Sequence, residues 1–335
     1  MVHGDDFTFS GEPSQLEWAA EQMQRVFSCK IGGVLGDDPG QVQQLTILNR
    51  IISWTPDGIT YEADPRHAEI LQRLAKGPPV TTPGTKPSAE DLESSPPLEE
   101  RDAVFQFQSS AARGIYLSLD RADLGFAAKE TCRRMSCPRK IDMESVQRMG
   151  RYLSTKPRAV YHFQWQHPTH LDVYIDSDYA GCQETRRSTS GGVALLGTHP
   201  LKHWSATQRA VSLSSGEAEL GAILKGAAEG LGMQSLAADH GEEIRLKLWT
   251  DASAAIGICS RTGIGKVRHL SVGQLWAQEK LRVQAFSLHK QAGYWNPADM
   301  LTKHVPREVL ERHSKTCGLT FPLGWPEGAP HAFPP

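Results

Sequence analysis

The sequence predicts an α/β fold whose main domain, residues 168–316, is a mixed five-stranded sheet with flanking helices. Short runs with strand-like alternation of apolar and polar residues lie between 171 and 206, and a longer run with helical spacing follows from Ser214. The later elements alternate, giving the order βββαβα and then helix, strand and helix. The 335-residue chain is long enough for two ordinary domains, each able to bury its own core.

Residues 1–77 are predicted as a separate mixed α/β segment. A hairpin is expected over Val2–Phe9, and the apolar spacing of residues 13–28 indicates a helix. Two strands around the turn at 55–58 come next. Asp64 and Pro65 then begin a helix as its N-cap and its first residue.

The middle of the chain changes in composition. Residues 78–102 are rich in Pro, Ser, Thr and Glu, which predicts a disordered or loosely ordered linker. Helices are expected across 103–167, and a Pro- and Gly-rich flexible tail over 317–335. The helices carry a basic cluster, which is usually a solvated face but here is equally consistent with phosphate contact. Its members are Arg133, Arg134, Arg139, Lys140, Arg148, Arg151, Lys156 and Arg158.

Within 168–316 the first predicted strand, 171–176, places its acidic residues on one face. From Ser214 a helix runs to about His240 with one apolar face. The other elements expected are strands over 191–196, 200–206, 244–250 and 283–289, and helices from Ala252, about His269 and Pro297.

Bulk composition limits the possible functions. A formal net charge of -2 gives no global attraction to nucleic acid, so such binding would need local basic patches. The six cysteines form no Cys-x-x-Cys pair, which indicates free thiols in a reducing compartment. No apolar run reaches the roughly 18 residues that span a bilayer, and no secretory signal opens the chain. We therefore expect an intracellular protein without a membrane partner.

Four acidic residues in separate contexts are the candidate metal ligands: Asp176, Glu219, Asp251 and Asp299. Clustered carboxylates suit Mg²⁺, and paired Mg²⁺ ions suit phosphodiester cleavage. Each aspartate also has a structural alternative. Asp176 would be a turn former and Asp251 a helix N-cap, while Asp299 would favour the dipole of the helix begun at Asn296.

Glu217 competes with Glu219 for the ligand role. Ser214 and Glu217 have the spacing of a capping box, which explains Glu217 without any function. Glu219 is not needed for capping and lies beside the buried face that carries Ile223. Glu219 is therefore the favoured ligand.

Proton transfer and substrate contact rest on weaker signals. His289, ten residues before Asp299, would shuttle protons if its loop placed it over the metals; the alternative is an ordinary surface histidine. Six residues near Asp176 are expected to contact the nucleic acid backbone, or else to form a polar sheet edge with its Trp in the core. They are Arg186, Arg187, Ser188, Thr189, Lys202 and Trp204.

Five motifs follow one another in the second half of the chain: Asp-Ser-Asp-Tyr-Ala-Gly (176–181), Arg-Arg-Ser-Thr-Ser-Gly-Gly (186–192), Ser-Leu-Ser-Ser-Gly-Glu-Ala-Glu-Leu (212–220), Thr-Asp-Ala-Ser-Ala-Ala (250–255) and Ala-Asp-Met-Leu-Thr-Lys (298–303). In order and spacing they resemble the RNase H domain of copia-type retrotransposon Pol polyproteins. The resemblance covers roughly 168–316 and implies catalytic, metal-ligating roles for the four carboxylates. It implies two Mg²⁺ ions, for which Mn²⁺ can substitute, and cleavage of the RNA strand of RNA–DNA hybrids.

The N-terminal part looks like the end of the attached reverse transcriptase. Val2-His3-Gly4-Asp5-Asp6 is similar to the Tyr-x-Asp-Asp hairpin of the polymerase palm, with His3 in place of Tyr. Residues 1–77 would then be a truncated palm remnant and 103–167 a thumb or connection segment. A polymerase of this family needs a further Asp and the fingers, which would precede Met1. Asp5 and Asp6 are thus expected to be relics, or to complete a site only within a longer polyprotein.

Two other functions stay open: an inactive fragment that at most binds nucleic acid, and a DNA-directed nuclease or integrase. The presence of all four acids argues against the first, and the early position of Glu219 on its helix argues against the second. The resemblance implies RNA–DNA hybrid and the rest of a Pol polyprotein as partners, in a cytoplasmic virus-like particle or the nucleus.

Overall fold

The computed structural model describes residues 1–263, 272–325 and 328–333, and it divides into two compact units, Met1–Leu45 and Thr46–Pro335. In the first unit, strands β1 (Val2–His3) and β2 (Asp6–Phe7) form the predicted hairpin. Helix α1 spans Pro13–Val26 and buries none of its residues. Among the described residues, no helix is long and apolar enough to cross a membrane.

The second unit begins with strands and a capped helix. Strand β3 (Gln44–Ile47) starts at the boundary, and β4 (Arg50–Thr55) pairs antiparallel with β5 (Gly58–Glu62). Helix α2 (Pro65–Arg73) is N-capped by Asp64, whose side chain accepts a 3.0 Å hydrogen bond from the Arg66 backbone. The predicted helix start is confirmed.

Residues 78–102, predicted as a disordered or loosely ordered linker, contain one short helix and otherwise little regular secondary structure. Helix α3 (Ala89–Ser94) begins with a capping box between Ser88 and Asp91. Beyond it, the Leu98 backbone N–H donates to the Pro138 carbonyl at 2.8 Å. This backbone hydrogen bond, to the loop that precedes Lys140, helps to hold a segment that has few large apolar residues of its own.

Three longer helices follow: α4 (Arg101–Leu117), α5 (Gly125–Cys132) and α6 (Lys140–Leu153). Their buried faces join α2 in one core, and residues of the main sheet and of the C-terminal region lie in the same cluster. Residues from each of these segments thus pack together, and the domain limits suggested at 77, 102 and 167 stay predictions.

After β6 (Val160–Gln164) comes the main sheet. Its strands are β7 (His170–Ser177), β8 (Thr189–Leu196), β9 (His199–Thr207), β10 (Arg245–Thr250) and β11 (Ser287–Lys290). Their spatial order is β11-β10-β7-β8-β9. β7, β10 and β11 are parallel, while β8 is antiparallel to both of its neighbours. The predicted mixed five-stranded sheet is confirmed.

Helix α7 (Ser215–Asp239) covers one face of this sheet, where Leu171, Val173 and Ile175 are buried. Close packing is possible because Gly226 faces Ile175: a Cβ at Gly226 would lie 2.5 Å from the Ile175 Cγ2. Two shorter helices follow later in the chain, α8 (Ser253–Cys259) and α9 (Val272–Arg282). The predicted start of the latter, about His269, lies outside the described residues.

The end of the chain returns to the first part of the unit. Helix α10 (Arg307–Thr316) precedes strand β12 (Leu319–Thr320), which pairs antiparallel with β6. A second sheet thus has the order β12-β6-β5-β4-β3. The first residues of the predicted flexible tail are part of this sheet.

His313 on α10 gives the fold a dependence on pH. Its side chain is 1% exposed, and burial lowers its pKa to about 4. Below the unfolded value of 6.5 the unfolded chain takes up a proton that the folded chain does not, so stability is lost as pH falls. We expect that going from pH 7 to pH 5 destabilises the protein by about 2 kcal/mol relative to His313→Leu. Urea unfolding of both proteins at each pH measures this; equal changes would contradict it.

Candidate metal centre

Three carboxylates converge at one edge of the main sheet. Asp176 is near the end of β7 and Asp251 directly follows β10, its parallel neighbour, so the two lie side by side. Glu219, in the second turn of α7, reaches the same point from the covering helix. One oxygen from each residue lies within 4.8 Å of the others. The sequence separated these residues, and the topology brings them together.

Burial and mutual repulsion disfavour the charged forms of the carboxylates in this group. Burial, followed by the charges of Asp176 and Asp251, raises the pKa of Glu219 to about 8. Burial, with the charges of Asp299 and Asp251, raises the pKa of Asp176 to about 6. Among the described residues, the buried Oε2 of Glu219 has no hydrogen-bond partner. Hard oxygen donors with one orphaned buried atom fit a divalent cation such as Mg²⁺.

Glu217 has the structural role expected of it. Its backbone N–H donates to the Ser214 hydroxyl at 3.3 Å, and its Oε2 accepts from the Leu213 backbone at 2.8 Å. The carboxylate thus reaches one residue before the N-cap rather than to the N-cap itself. Glu219 is the glutamate that joins the carboxylate group.

Asp299 lies beside the three carboxylates rather than among them. It belongs to a 3₁₀ turn, Pro297–Leu301, in place of the α-helix predicted from Pro297. Its carboxylate pairs with Lys303, and its charge contributes to the raised pKa of Asp176. Its ligand role stays a prediction.

Two residues of the last motif reach the site although the sequence argument gave them no role. The Thr302 hydroxyl, fully buried, donates a hydrogen bond to Oδ2 of Asp176. The Lys303 ammonium pairs with Asp299, and its charge opposes the rise in the pKa of Asp176. The sequence did contain a signal for them: they lie three and four residues after Asp299, the spacing at which side chains of one helical turn are neighbours.

The contacts of His289 are with the neighbouring strand and with its own strand. Its ring stacks on Trp249, with centroids 4.7 Å apart, and its Nε2 lies 2.8 Å from the Ser287 hydroxyl. Strand register pairs His289 with Trp249, two residues before Asp251. The parallel pairing of β11 with β10 therefore places this ring in an aromatic stack, and its role as a proton shuttle stays a prediction.

The predicted nucleic-acid contacts divide by burial. Ser188, Thr189 and Trp204 are buried, which favours the packed-sheet alternative, and their contact with nucleic acid stays a prediction. Trp204 packs against Gly192, its partner on β8: a Cβ at Gly192 would lie 2.0 Å from the Cζ2 of Trp204. Arg186 and Arg187 are exposed just before β8.

Ion pairing also limits the other basic residues. Lys202 pairs with Glu229 at 2.6 Å. In the helical cluster, Arg134 pairs with Glu184 at 2.6 Å, and Arg158 makes two 2.7 Å hydrogen bonds to Glu62. Internal pairing favours the structural explanation for this cluster over phosphate tracking.

Asp5 and Asp6 lie at the exposed turn of the β1–β2 hairpin in the first unit. Among the described residues, they belong to no group of three potential metal-ligating side chains. Their description as a polymerase relic stays a prediction.

Replacing Glu219 tests the electrostatic cost of the cluster. We expect Glu219→Gln to stabilise the metal-free protein by about 1–3 kcal/mol at pH 7, because a carboxyl with a raised pKa destabilises the fold above its unfolded pKa. Mg²⁺ should raise the melting temperature of the wild type but not of this variant. The control, Glu217→Gln, changes a capping carboxylate and should keep the Mg²⁺ response. A stabilising effect of Mg²⁺ on Glu219→Gln would contradict the assignment.

No family model matches the chain. Among solved structures, LC11-RNase H1 isolated from compost covers 43% of this chain and 97% of that chain, at 16% identity and a TM-score of 0.31. RNase H1 from Halobacterium salinarum NRC-1 covers 42% of this chain and 98% of that chain, at 18% identity and a TM-score of 0.31.

Relatives by sequence cover more of the chain. The retrovirus-related Pol polyprotein from transposon RE1 of Arabidopsis thaliana is 27% identical over 266 residues, 75% of this chain and 18% of that protein. The one from transposon TNT 1-94 of Nicotiana tabacum is 25% identical over 290 residues, 84% of this chain and 22% of that protein. An uncharacterised mitochondrial protein of Arabidopsis thaliana is 30% identical over 234 residues, 68% of this chain and 91% of that protein.

The strand order and the carboxylate group define the class: an α/β protein with a ribonuclease H-like domain. The chain belongs to the family of retrovirus-related Pol polyproteins from copia-type transposons. It spans about a fifth of the length of the Pol polyproteins that it matches.

Proposed function

We propose that this chain is a metal-dependent endoribonuclease that cleaves the RNA strand of RNA–DNA hybrids. The observation that carries the proposal is the convergence of Asp176, Glu219 and Asp251 within 4.8 Å of one another. A buried carboxylate group with a raised pKa and an unpartnered oxygen is a common sign of a functional site. Membership of a Pol family supports nucleic acid as the substrate class.

The chain's own residues hold and orient the cation ligands. Asp176, Glu219 and Asp251 would bind Mg²⁺, or Mn²⁺ in its place, and Asp299 would be the fourth carboxylate of a two-ion site. When bound, Mg²⁺ supplies an activated water and stabilisation of the leaving oxygen. Thr302 holds the Asp176 carboxylate through its hydrogen bond. Lys303 offsets part of the negative charge around Asp299.

Substrate contact would come from the surface beside this group. The exposed Arg186 and Arg187 lie between β7, which carries Asp176, and β8, and are suited to phosphate contact. Selectivity for RNA would come from polar groups that read 2′-hydroxyls across the minor groove. Within a longer Pol polyprotein, residues 1–77 and 103–167 would be the palm and connection parts next to the nuclease.

Hydrolysis assays on the purified chain test this function. A labelled RNA–DNA hybrid, duplex DNA and duplex RNA are incubated with Mg²⁺ or EDTA. We expect cleavage of the RNA strand of the hybrid alone, and only with Mg²⁺. Equal cutting of duplex DNA would indicate a DNA-directed nuclease, and binding without cutting would indicate an inactive fragment; either result rejects the proposal.

A further inference from the structure

Two exposed aromatic side chains, Tyr294 and Trp295, have no role in the function proposed above. They lie on a short 3₁₀ turn, Gly293–Trp295, between β11 and the Asp299 turn. Their side chains are 60% and 57% exposed, and their rings meet edge to face with centroids 4.7 Å apart. Tyrosine and tryptophan combine a large apolar ring with a polar group, which suits them to binding at a surface.

The turn is fixed at both ends to the strands that carry metal-ligand candidates. On one side, the Gln291 backbone N–H donates to the Thr250 carbonyl at 2.9 Å, one residue before Asp251. On the other, the buried Asn296 side chain donates to the Ile175 carbonyl at 2.9 Å, one residue before Asp176. The aromatic pair is therefore held by the same two strand ends as the carboxylates.

Gly293 lets the turn approach the carboxylate group closely. A Cβ at this position would lie 2.7 Å from Oδ2 of Asp251, closer than real Cβ atoms come to other atoms. The residue that precedes the aromatic pair is thus in contact range of a metal-ligand candidate.

A cation completes the surface. The Arg312 guanidinium lies 3.6 Å from the centroid of the Tyr294 ring. Among the described residues, its buried Nε has no hydrogen-bond partner. Aromatic faces stack on nucleobases, and a guanidinium beside them attracts phosphate and itself stacks on bases.

We propose that Tyr294, Trp295 and Arg312 form a stacking platform for an unpaired nucleobase next to the cleavage point. The inference rests on the proposed function, and it specifies the form of the substrate. Bases inside a continuous hybrid have both faces covered by their neighbours and are held in pairs, whereas an unpaired nucleotide beyond the duplex end can turn its face onto the rings. Hybrids with an unpaired end beside the cleavage point are then the preferred substrates.

Binding measurements on the full chain test the platform without relying on cleavage. Hybrids of one length are compared: blunt, with unpaired RNA nucleotides at one end, and with unpaired DNA nucleotides at one end. Fluorescence anisotropy with Ca²⁺ in place of Mg²⁺ gives the Kd of each. We expect the wild type to bind one or both overhang hybrids roughly 5- to 100-fold tighter than the blunt hybrid. The preferred overhang identifies which strand supplies the base.

Trp295→Ala should remove this preference and leave the affinity for the blunt hybrid unchanged, and Trp295→Phe should restore part of it. Trp165→Ala is the matched control, since Trp165 is a 58% exposed tryptophan that follows β6 in the second sheet. Equal affinity of the wild type for all three hybrids, or an equal loss for all three in Trp295→Ala, would overturn the platform.

Cleavage assays in Mg²⁺ separate this inference from the function. Cutting without any overhang preference rejects the platform alone. Trp295-dependent overhang binding without cutting rejects the nuclease and retains the platform as a binding site.

Discussion

Asp251→Asn should reduce cleavage of the RNA strand by about 10³-fold or more. The substitution keeps the shape of the side chain but removes the negative charge that, under the proposed function, would bind a cation at the end of β10. Metal-ion stabilisation of the transition state is worth several kcal/mol, and each 1.36 kcal/mol is a factor of ten in rate. Initial rates on a labelled hybrid at saturating Mg²⁺ measure the effect.

Asp172→Asn is the matched control for this prediction. Asp172 lies on β7, four residues before Asp176, and its Oδ1 accepts a 2.8 Å hydrogen bond from the Trp249 indole. Asparagine keeps that acceptor, so the rate should change by no more than a few fold. If Asp172→Asn lost as much activity as Asp251→Asn, the total negative charge of this face of the sheet would matter, rather than the three-carboxylate group. Near wild-type activity of Asp251→Asn would reject the site.

Asp123→Ala should destabilise the protein by about 3–5 kcal/mol, the largest stability effect we expect. Arg121 and Asp123 are almost fully buried and share two hydrogen bonds of 2.9 and 2.7 Å. The Tyr152 hydroxyl donates to the same carboxylate at 2.7 Å. Removing Asp123 leaves a buried guanidinium without its counter-charge, which is costlier than losing the pair's own attraction.

Urea unfolding of the full chain measures this effect. The control is Glu184→Ala, which removes the partner of Arg134 from an ion pair at the surface and should cost less than about 1 kcal/mol. Similar losses in the two variants would contradict the account of the buried pair.

Local patterns predicted the elements that build the site. The alternation of apolar and polar residues predicted β7. The 3.6-residue spacing of apolar residues predicted α7 and the burial of Leu220, Ile223 and Ala227. Cap chemistry separated Glu217 from Glu219, since the cap explained only one of them. These signals lie within a few residues of each other along the chain, so the sequence contains them.

What the sequence did not predict depends on contacts between distant segments. Trp204 packs against Gly192 because these two residues are partners in the β8–β9 pair, and His289 stacks on Trp249 because β11 pairs with β10. Arg158 is neutralised by Glu62, 96 residues earlier. The backbone hydrogen bond from Leu98 to Pro138 likewise joins residues that are far apart in the sequence. Periodicity and propensity are local quantities and contain none of these pairings.

The central claim is that Asp176, Glu219 and Asp251 share one divalent-cation site. A crystal structure of the protein grown with Mn²⁺, in which anomalous scattering locates the ion, tests it most directly. The account predicts Mn²⁺ bound directly to carboxylate oxygens of all three residues. Saturating Mn²⁺ that leaves this position empty, or binds only elsewhere while the three side chains point apart, would contradict it.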